Sequence, residues 1–376
     1  MTVMNNTNLT RFPGFCDVHV HFREPGFFYK ESIASGSLAA ARGGYTLVFT
    51  MPNLDPVPDS VEHLMIEQEL INNNSVINIL PYGAITVEEK GLELVDMKSL
   101  SDKVVAFSDD GKGIQSEEMM RRSMLEAKSL NKIIAAHCED NSLLNGGYIH
   151  AGKYAAIHGH RGIVSESEWG QIARDIKLAE ETGCAYHVCH ISTAESVELI
   201  RRAKARGVNI TCETAPHYLL LCDEDIEEDG RFKMNPPVRD KKDRDALIEG
   251  VIDGTIDMIA TDHAPHSREE KSKGLERSSF GVVGIETAFP LLYTYLVRTG
   301  VISMDRLLEL LVTAPRKRFG LPVNGEDYSL WDLETCYEID PKDFLSKGKA
   351  TPFEGWKVYG KCIETYCNGK CVYRAE

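Results

Sequence analysis

The chain of 376 residues has no apolar run approaching the ~20 residues that a membrane-spanning helix needs. The polar stretch from Met1 to Arg11 lacks an apolar core of the signal-peptide kind. No tract is of low complexity and no segment repeats. Positive charge is in deficit: 42 Lys and Arg stand against 57 Asp and Glu, a formal net charge of −15. That balance argues against a nucleic-acid groove or an anionic membrane surface as partner. It leaves room for a small anionic substrate, which needs only a local cationic clamp. Cysteine is not lacking, but its ten copies are scattered, several inside apolar strand-like runs, which suits buried reduced thiols. The pair Cys367 and Cys371 flanks an Asn-Gly turn, the mark of a hairpin rather than a metal knuckle. These absences together describe a soluble, cytoplasmic, globular protein.

Against that background the stretch Asp17-Val18-His19-Val20-His21-Phe22-Arg23-Glu24-Pro25-Gly26 stands out. It opens as a strand and stops at a Pro-Gly turn. Alternation along a strand places Asp17, His19, His21 and Arg23 on one face. Two imidazoles about 7 Å apart on one strand can converge on one ion. The alternative is a pair of satisfied core histidines.

The remaining chain alternates strand-like and helical runs. Strands are expected at 45–51, 76–84, 104–107, 133–136, 185–189, 208–212 and 256–260, with helices at 29–42, 61–71, 117–130, 165–182, 194–205, 284–299 and 303–313. About eight strands in such alternation predict an α/β fold, a (β/α)8 barrel of the TIM type. The barrel is expected over residues 14–320. Residues 1–13 and 321–376, richer in Pro, Gly and Lys, are expected to form a small β appendage built mainly by the C-terminal tail. Polar residues gather at strand carboxyl ends, where such barrels place their active sites. They are His19 and His21, Asp110, His137, His190 and Asp262. A His/Asp set of this kind suits Zn²⁺ or a similar divalent ion.

Several motifs now resemble a known family. HVHFREPG at 19–26, MPN at 51–53, AFSDDG at 106–111, AHCED at 136–140, HVCHIST at 187–193, NPPVR at 235–239 and ATDHAPH at 260–266 are similar to those of the dihydroorotases. FGVVGIETAFPLLYT at 280–294 and SKGKATPFEGW at 346–356 fit as well. The resemblance is to the class I bacterial branch, within the metal-dependent amidohydrolase superfamily. It implies reversible cyclisation of N-carbamoyl-L-aspartate to L-dihydroorotate, in de novo pyrimidine biosynthesis, by a hydroxide generated at the metal. It assigns His19, His21, His137, His190 and Asp262 to one or two zinc ions, with Asp262 also the proton shuttle. It assigns Arg23, Asn53 and His266 to the substrate carboxylate, and Asn235 and the Gly281 backbone to the ring amide. A homodimer and an association with aspartate transcarbamoylase are the partners it suggests.

Two departures matter. Many relatives carry a carboxylated lysine between two metals, whereas this chain reads Phe107-Ser108-Asp109-Asp110; relatives with this motif use the second aspartate, so Asp110 is the expected ligand and Asp109 the alternative. Only about a dozen residues precede the first strand. Strand parity favours His190 over His187 as a ligand, with Tyr186 and Val188 sharing the face of His190. His187, Glu213 and His263 are left without roles, and the charged segment 267–279 is a candidate lid. Rival readings are another cyclic amidohydrolase (an allantoinase or dihydropyrimidinase) or a non-catalytic partner of aspartate transcarbamoylase. Arg23 with Asn53 and His266 discriminates against the first, and the full ligand set against the second.

Overall fold

The computed structural model describes residues 9–376; the expected part of residues 1–8 in the appendage lies outside the described residues. The strands in chain order are β1 (Thr10–Pro13), β2 (Phe15–Val20), β3 (Tyr45–Thr50), β4 (Asn78–Pro81), β5 (Gly83–Ala84), β6 (Phe107–Ser108), β7 (Ile133–Ala136), β8 (Ile149–His150), β9 (Gly162–Ile163), β10 (Ala185–Val188), β11 (Ile210–Thr214), β12 (Met258–Ile259), β13 (Tyr328–Glu338), β14 (Lys357–Cys367) and β15 (Lys370–Arg374).

One parallel sheet runs β2-β3-β4, and another runs β12-β11-β10-β7-β6-β5. They join because β4 and β5 are one strand bent at Tyr82, whose N–H bonds Thr50 O while Gly83 N–H bonds Ala106 O. The other seam closes through the bridge Val20–His263 and the bond from His21 N to His263 O. The result is a TIM-type barrel. Its interior is filled by Cys16, Val18, Leu47, Phe49, Met51, Tyr82, Ala135, Cys189 and Met258. The larger apolar layer lies between the strands and the helices, around Phe15, Val48, Phe107, Ile134, Tyr186 and Val188.

Helix starts follow side-chain caps. The helix Ile33–Arg42 begins later than its Ala- and Ser-rich sequence suggests, because Ser32 and Ser35 form a capping box and Glu31 is turned toward Ser346. The helix expected from 284 starts only at Ala288. The backbone before it is used elsewhere: Val282 pairs with His263, and Val283 N–H bonds Ala350 O.

β1, β13, β14 and β15 form an antiparallel sheet in the order β1-β13-β14-β15. Its inner side delivers Trp331, fully buried against Phe15 and Phe289. Asn368 and Gly369, both at positive φ, make the β14–β15 turn a hairpin, as the Asn-Gly pair predicts. Between β13 and β14 the chain leaves the sheet and runs as a strap against the loops that carry Glu31, Pro265 and Glu286. Glu31 and Glu286 accept hydrogen bonds from Leu345, Ser346 and Lys347 of that strap, and Gly348 lies against Pro265. No helix among the described residues is long and apolar enough to cross a membrane.

Candidate active site

β2 does not alternate regularly. A register irregularity between Asp17 and Val20 interrupts its pairing with β3. Cys16 and Val18 fill the barrel interior, and Asp17 turns sideways to accept bonds from Thr261 N–H and Thr261 O–H. The expectation that Asp17, His19, His21 and Arg23 share one strand face is therefore corrected. His19 and His21 do meet, with ring centroids 5.3 Å apart. Arg23 lies beyond the strand at φ 62°, so a turn aims it and not the pleat.

A second correction concerns β10. Tyr186 and Val188 face the helices, while His187 faces the barrel interior, bonded to Thr211 and, at 3.0 Å, to Glu213. His190 reaches the mouth because its backbone leaves the strand at φ 31°. Asp262 is also left-handed, at φ 46°. Three residues of one site in this sparsely populated region are the kind of backbone strain that functional sites hold.

The structure gathers His19, His21, His137, His190, Asp110 and Asp262 at the carboxyl ends of the strands, all buried. His21 Nε2 stands 3.1 Å from Asp262 Oδ1 and 3.5 Å from Asp110 Oδ2. His19 Nε2 is 3.4 Å from Asp110 Oδ1 and 3.6 Å from Asp262 Oδ1, and His190 Nε2 is 3.5 Å from Asp110 Oδ1. His137 Nδ1 faces His190 Nε2 at 2.9 Å. Ligands held about 2.0–2.1 Å from a tetrahedral ion lie about 3.3 Å from one another, so these spacings fit ion coordination. Three triads within coordinating reach share His19: one adds His21 and Asp262, another Asp110 and His190, and a third, behind it, Cys189 and Glu213. His19 Nε2 and Asp110 Oδ1 are buried with no hydrogen-bond partner, which is costly unless a cation faces them.

The outer ring nitrogens fix the tautomers. His19 Nδ1–H donates to Glu213 Oε1 at 2.8 Å, and His21 Nδ1–H to Asn53 Oδ1 at 2.7 Å, leaving both Nε2 lone pairs aimed at the carboxylates. Glu213, left without a role by its sequence position, thus ties His19 to His187. Burial pushes its carboxyl up, but His19 and His187 outweigh this and pull it down to about 2. Burial also opposes ionisation of Asp262, yet the imidazoles of His21, His19 and His190 hold it well below the usual carboxylate range. Asp109 turns the other way and accepts bonds from Ile85 N–H, Thr86 N–H and the Thr86 hydroxyl. His263 faces Glu31 and the Gly284 N–H, away from the cluster.

Above the cluster is a cavity of about 190 Å³ lined by Arg23, Asn53, Asn235, His266 and Gly281 together with His21, Asp110, His137, His190 and Asp262. Arg23 donates through Nε to Pro265 O at 3.3 Å and packs its Nη2 against His266 Nε2 at 3.4 Å. His266 Nε2–H donates to Phe280 O at 2.7 Å; burial, with Arg23 and Lys30 beside it, pulls its pKa down to about 3 and keeps it neutral. Asn53 is already engaged, accepting from His21 and donating to Asp110. Asn235 donates to Glu139, and its Oδ1 is buried without a partner. Gly281 N–H bonds Lys233 O, and its carbonyl has no hydrogen-bond partner among the described residues. At φ 127° this position requires glycine, and a Cβ would meet Ala264 O at 2.7 Å. Glu139, which the sequence offered only as part of a motif, also sits 3.7 Å from His137.

A barrel with such a His/Asp cluster at its mouth is that of a metal-dependent cyclic-amide hydrolase, and comparison with known proteins narrows the class. Residues 10–196 match the family model described as Dihydro-orotase-like. A dihydroorotase of Fusobacterium nucleatum is 54% identical over 96% of this chain and 86% of its own length. One from Shouchella clausii is 53% identical over 98% of this chain and 88% of its own. Among solved structures, the L-hydantoinase (dihydropyrimidinase) of Arthrobacter aurescens superimposes with a TM-score of 0.86 at 26% identity, over 97% of this chain and 85% of that one. A dihydropyrimidinase of Brevibacillus agri shares the fold, with a TM-score of 0.83 at 22% identity. The chain belongs to the dihydroorotase family.

Proposed function

We propose that this enzyme interconverts N-carbamoyl-L-aspartate and L-dihydroorotate, using zinc held by His19, His21, Asp110, His137, His190 and Asp262. The observation that supports it most is the pairing of Arg23 with the neutral His266 in one cavity above the His/Asp cluster. A carboxylate bound to this guanidinium brings the ring amide over the cluster. Zinc held there would supply a Lewis acid for the scissile carbonyl and would lower the pKa of water from 15.7 to about 7.

The remaining work belongs to the chain. Asp110 presents Oδ1 toward His19 and His190 and Oδ2 toward His21, so both of its oxygens would be available as ligands. Asp262, held ionised, takes a proton from the attacking water and hands it to the departing ring nitrogen; cyclisation reverses the order. Arg23 pairs with the substrate carboxylate as a planar fork. Asn235 Oδ1, lacking a partner, accepts from a ring N–H, and the Gly281 carbonyl is available to a second. Asn53 acts through His21 and Asp110 as much as on the substrate.

Metal analysis of purified protein with a dihydroorotate hydrolysis assay tests this reading. Zinc should be present and dihydroorotate turned over. Arg23→Asn should lower kcat/KM by about 10² through loss of a charge-assisted pair. Preference for an uncharged ring such as dihydrouracil over dihydroorotate would reject the assignment. For Asp262→Asn the expected outcome is that most of the metal is retained and kcat falls by at least about 10². Turnover within tenfold of the parent would reject the shuttle.

A further inference from the structure

A second cleft opens beside the first and shares His266 with it. It measures about 500 Å³, and its cationic lining residues are Arg231, Arg268, Lys271, Lys347 and Lys349, against the carboxylates Asp229 and Glu354. Arg231 is engaged by Glu227 and Glu354. The other four have no carboxylate at salt-bridge distance among the described residues. Lys347 Nζ donates once, to Phe28 O, and Lys349 Nζ once, to Phe344 O. Each ammonium has three donors, so both keep N–H groups unspent. Lys271 is buried, its Nζ held by the carbonyls of Lys233 and Ser279, and burial beside Lys233 lowers its pKa to about 7, so the free cations of the cleft are Arg268, Lys347 and Lys349. In a chain of net charge −15, uncompensated cations on the wall adjoining the substrate cavity are a local inversion of the molecular field.

We infer that this cleft is an anion-gathering vestibule, which draws the carboxylate-bearing substrate toward the mouth and passes it across His266 to Arg23. The inference rests on the proposed function and adds to it the route of entry. The acidic body of the protein repels a dicarboxylate, and Arg268, Lys347 and Lys349 at the entrance reverse that repulsion locally. Stabilisation here acts on free substrate approaching and bound equally in ground and transition states, so it raises kcat/KM while leaving kcat unchanged.

The test is the double variant Arg268→Gln, Lys347→Gln, in which glutamine at 347 keeps a donor for Phe28 O. At about 0.02 M ionic strength the variant should show kcat/KM lowered by about three- to tenfold with kcat within twofold of the parent. At about 0.5 M the two proteins should converge, since the Debye length then falls to a few ångströms. The loss should be the same for N-carbamoyl-L-aspartate and for dihydroorotate, because a substitution cannot alter the overall equilibrium. A parent-like kcat/KM at low salt, or a deficit that persists at high salt, would overturn the vestibule. Absence of turnover by the parent protein at any salt would instead overturn the functional reading, and the vestibule would fall with it.

Discussion

Adjacent aspartates at 109 and 110 take opposite duties. Asp110 turns into the histidine cluster, and Asp109 satisfies the N–H groups of Ile85 and Thr86 beneath it. Asp110→Ala should therefore empty the metal site, as measured by metal content. Asp109→Ala should keep the metal yet lose about 1–3 kcal/mol of unfolding free energy, because it leaves buried donors without partners. Metal loss in the Asp109 variant alone would reverse the assignment. Glu213 is a second such case. Its carboxylate holds His19 in the tautomer that faces the cluster, so Glu213→Gln should weaken metal affinity by about 10- to 100-fold, read by competition with a chelator. The histidines of the site were legible because imidazoles at strand ends are anomalous in one dimension. Glu213 was not, since the bond that defines it spans 194 residues.

At the scale of elements, the strand–helix alternation was readable because each run carries its own period and cap. What failed was inference from parity through strand ends. β2 slips register near its carboxyl end, and β10 stops at Val188, so the faces assigned to Asp17, Arg23 and His190 did not follow from counting by twos. Barrel strands here are short; apart from His19, inside β2, the site residues lie just past strand ends, and at Arg23, His190 and Asp262 φ is positive. The segment 267–279 shows a related limit of composition. Its charges suggest an open loop, but it forms two short helices, Arg268–Lys271 and Gly274–Arg277, pinned through buried Lys271 and Leu275.

The helix Val61–Asn74 packs on β3 by an unexpected device, a fully buried Glu67 accepting from the Thr50 hydroxyl at 2.7 Å. Burial raises its pKa from 4.5 to about 8. The folded chain thus holds this proton more tightly than the unfolded one. Its contribution to stability is full below pH 4.5 and is lost as pH rises through about 8. Glu67→Gln, which keeps the acceptor and cannot ionise, should gain about 1–3 kcal/mol over the parent between pH 5 and pH 8 in urea melts. Parallel pH profiles for the two proteins would refute the buried-proton account.

For the molecule as a whole, the site belongs to the barrel only in part. The strap between β13 and β14 lays Gly348 against Pro265, whose carbonyl positions Arg23 and whose neighbour is His266. A Cβ on Gly348 would come within 2.6 Å of Pro265 Cβ, so Gly348→Ala should displace the carboxylate clamp. The expected result is a KM for dihydroorotate raised about tenfold with metal content unchanged, since small misplacements in a binding site are costly. An unaltered KM would show that the strap follows the clamp rather than holding it. The same arrangement has a consequence for the nascent enzyme. Every side chain of the His/Asp cluster has been added once residue 262 is made, but Ser346, which ties down Glu31, and Gly348, which backs Pro265, are added some eighty residues later. During that interval a growing chain holds the parts of a hydrolytic centre without a finished grip on its substrate, so catalytic competence waits on the strap.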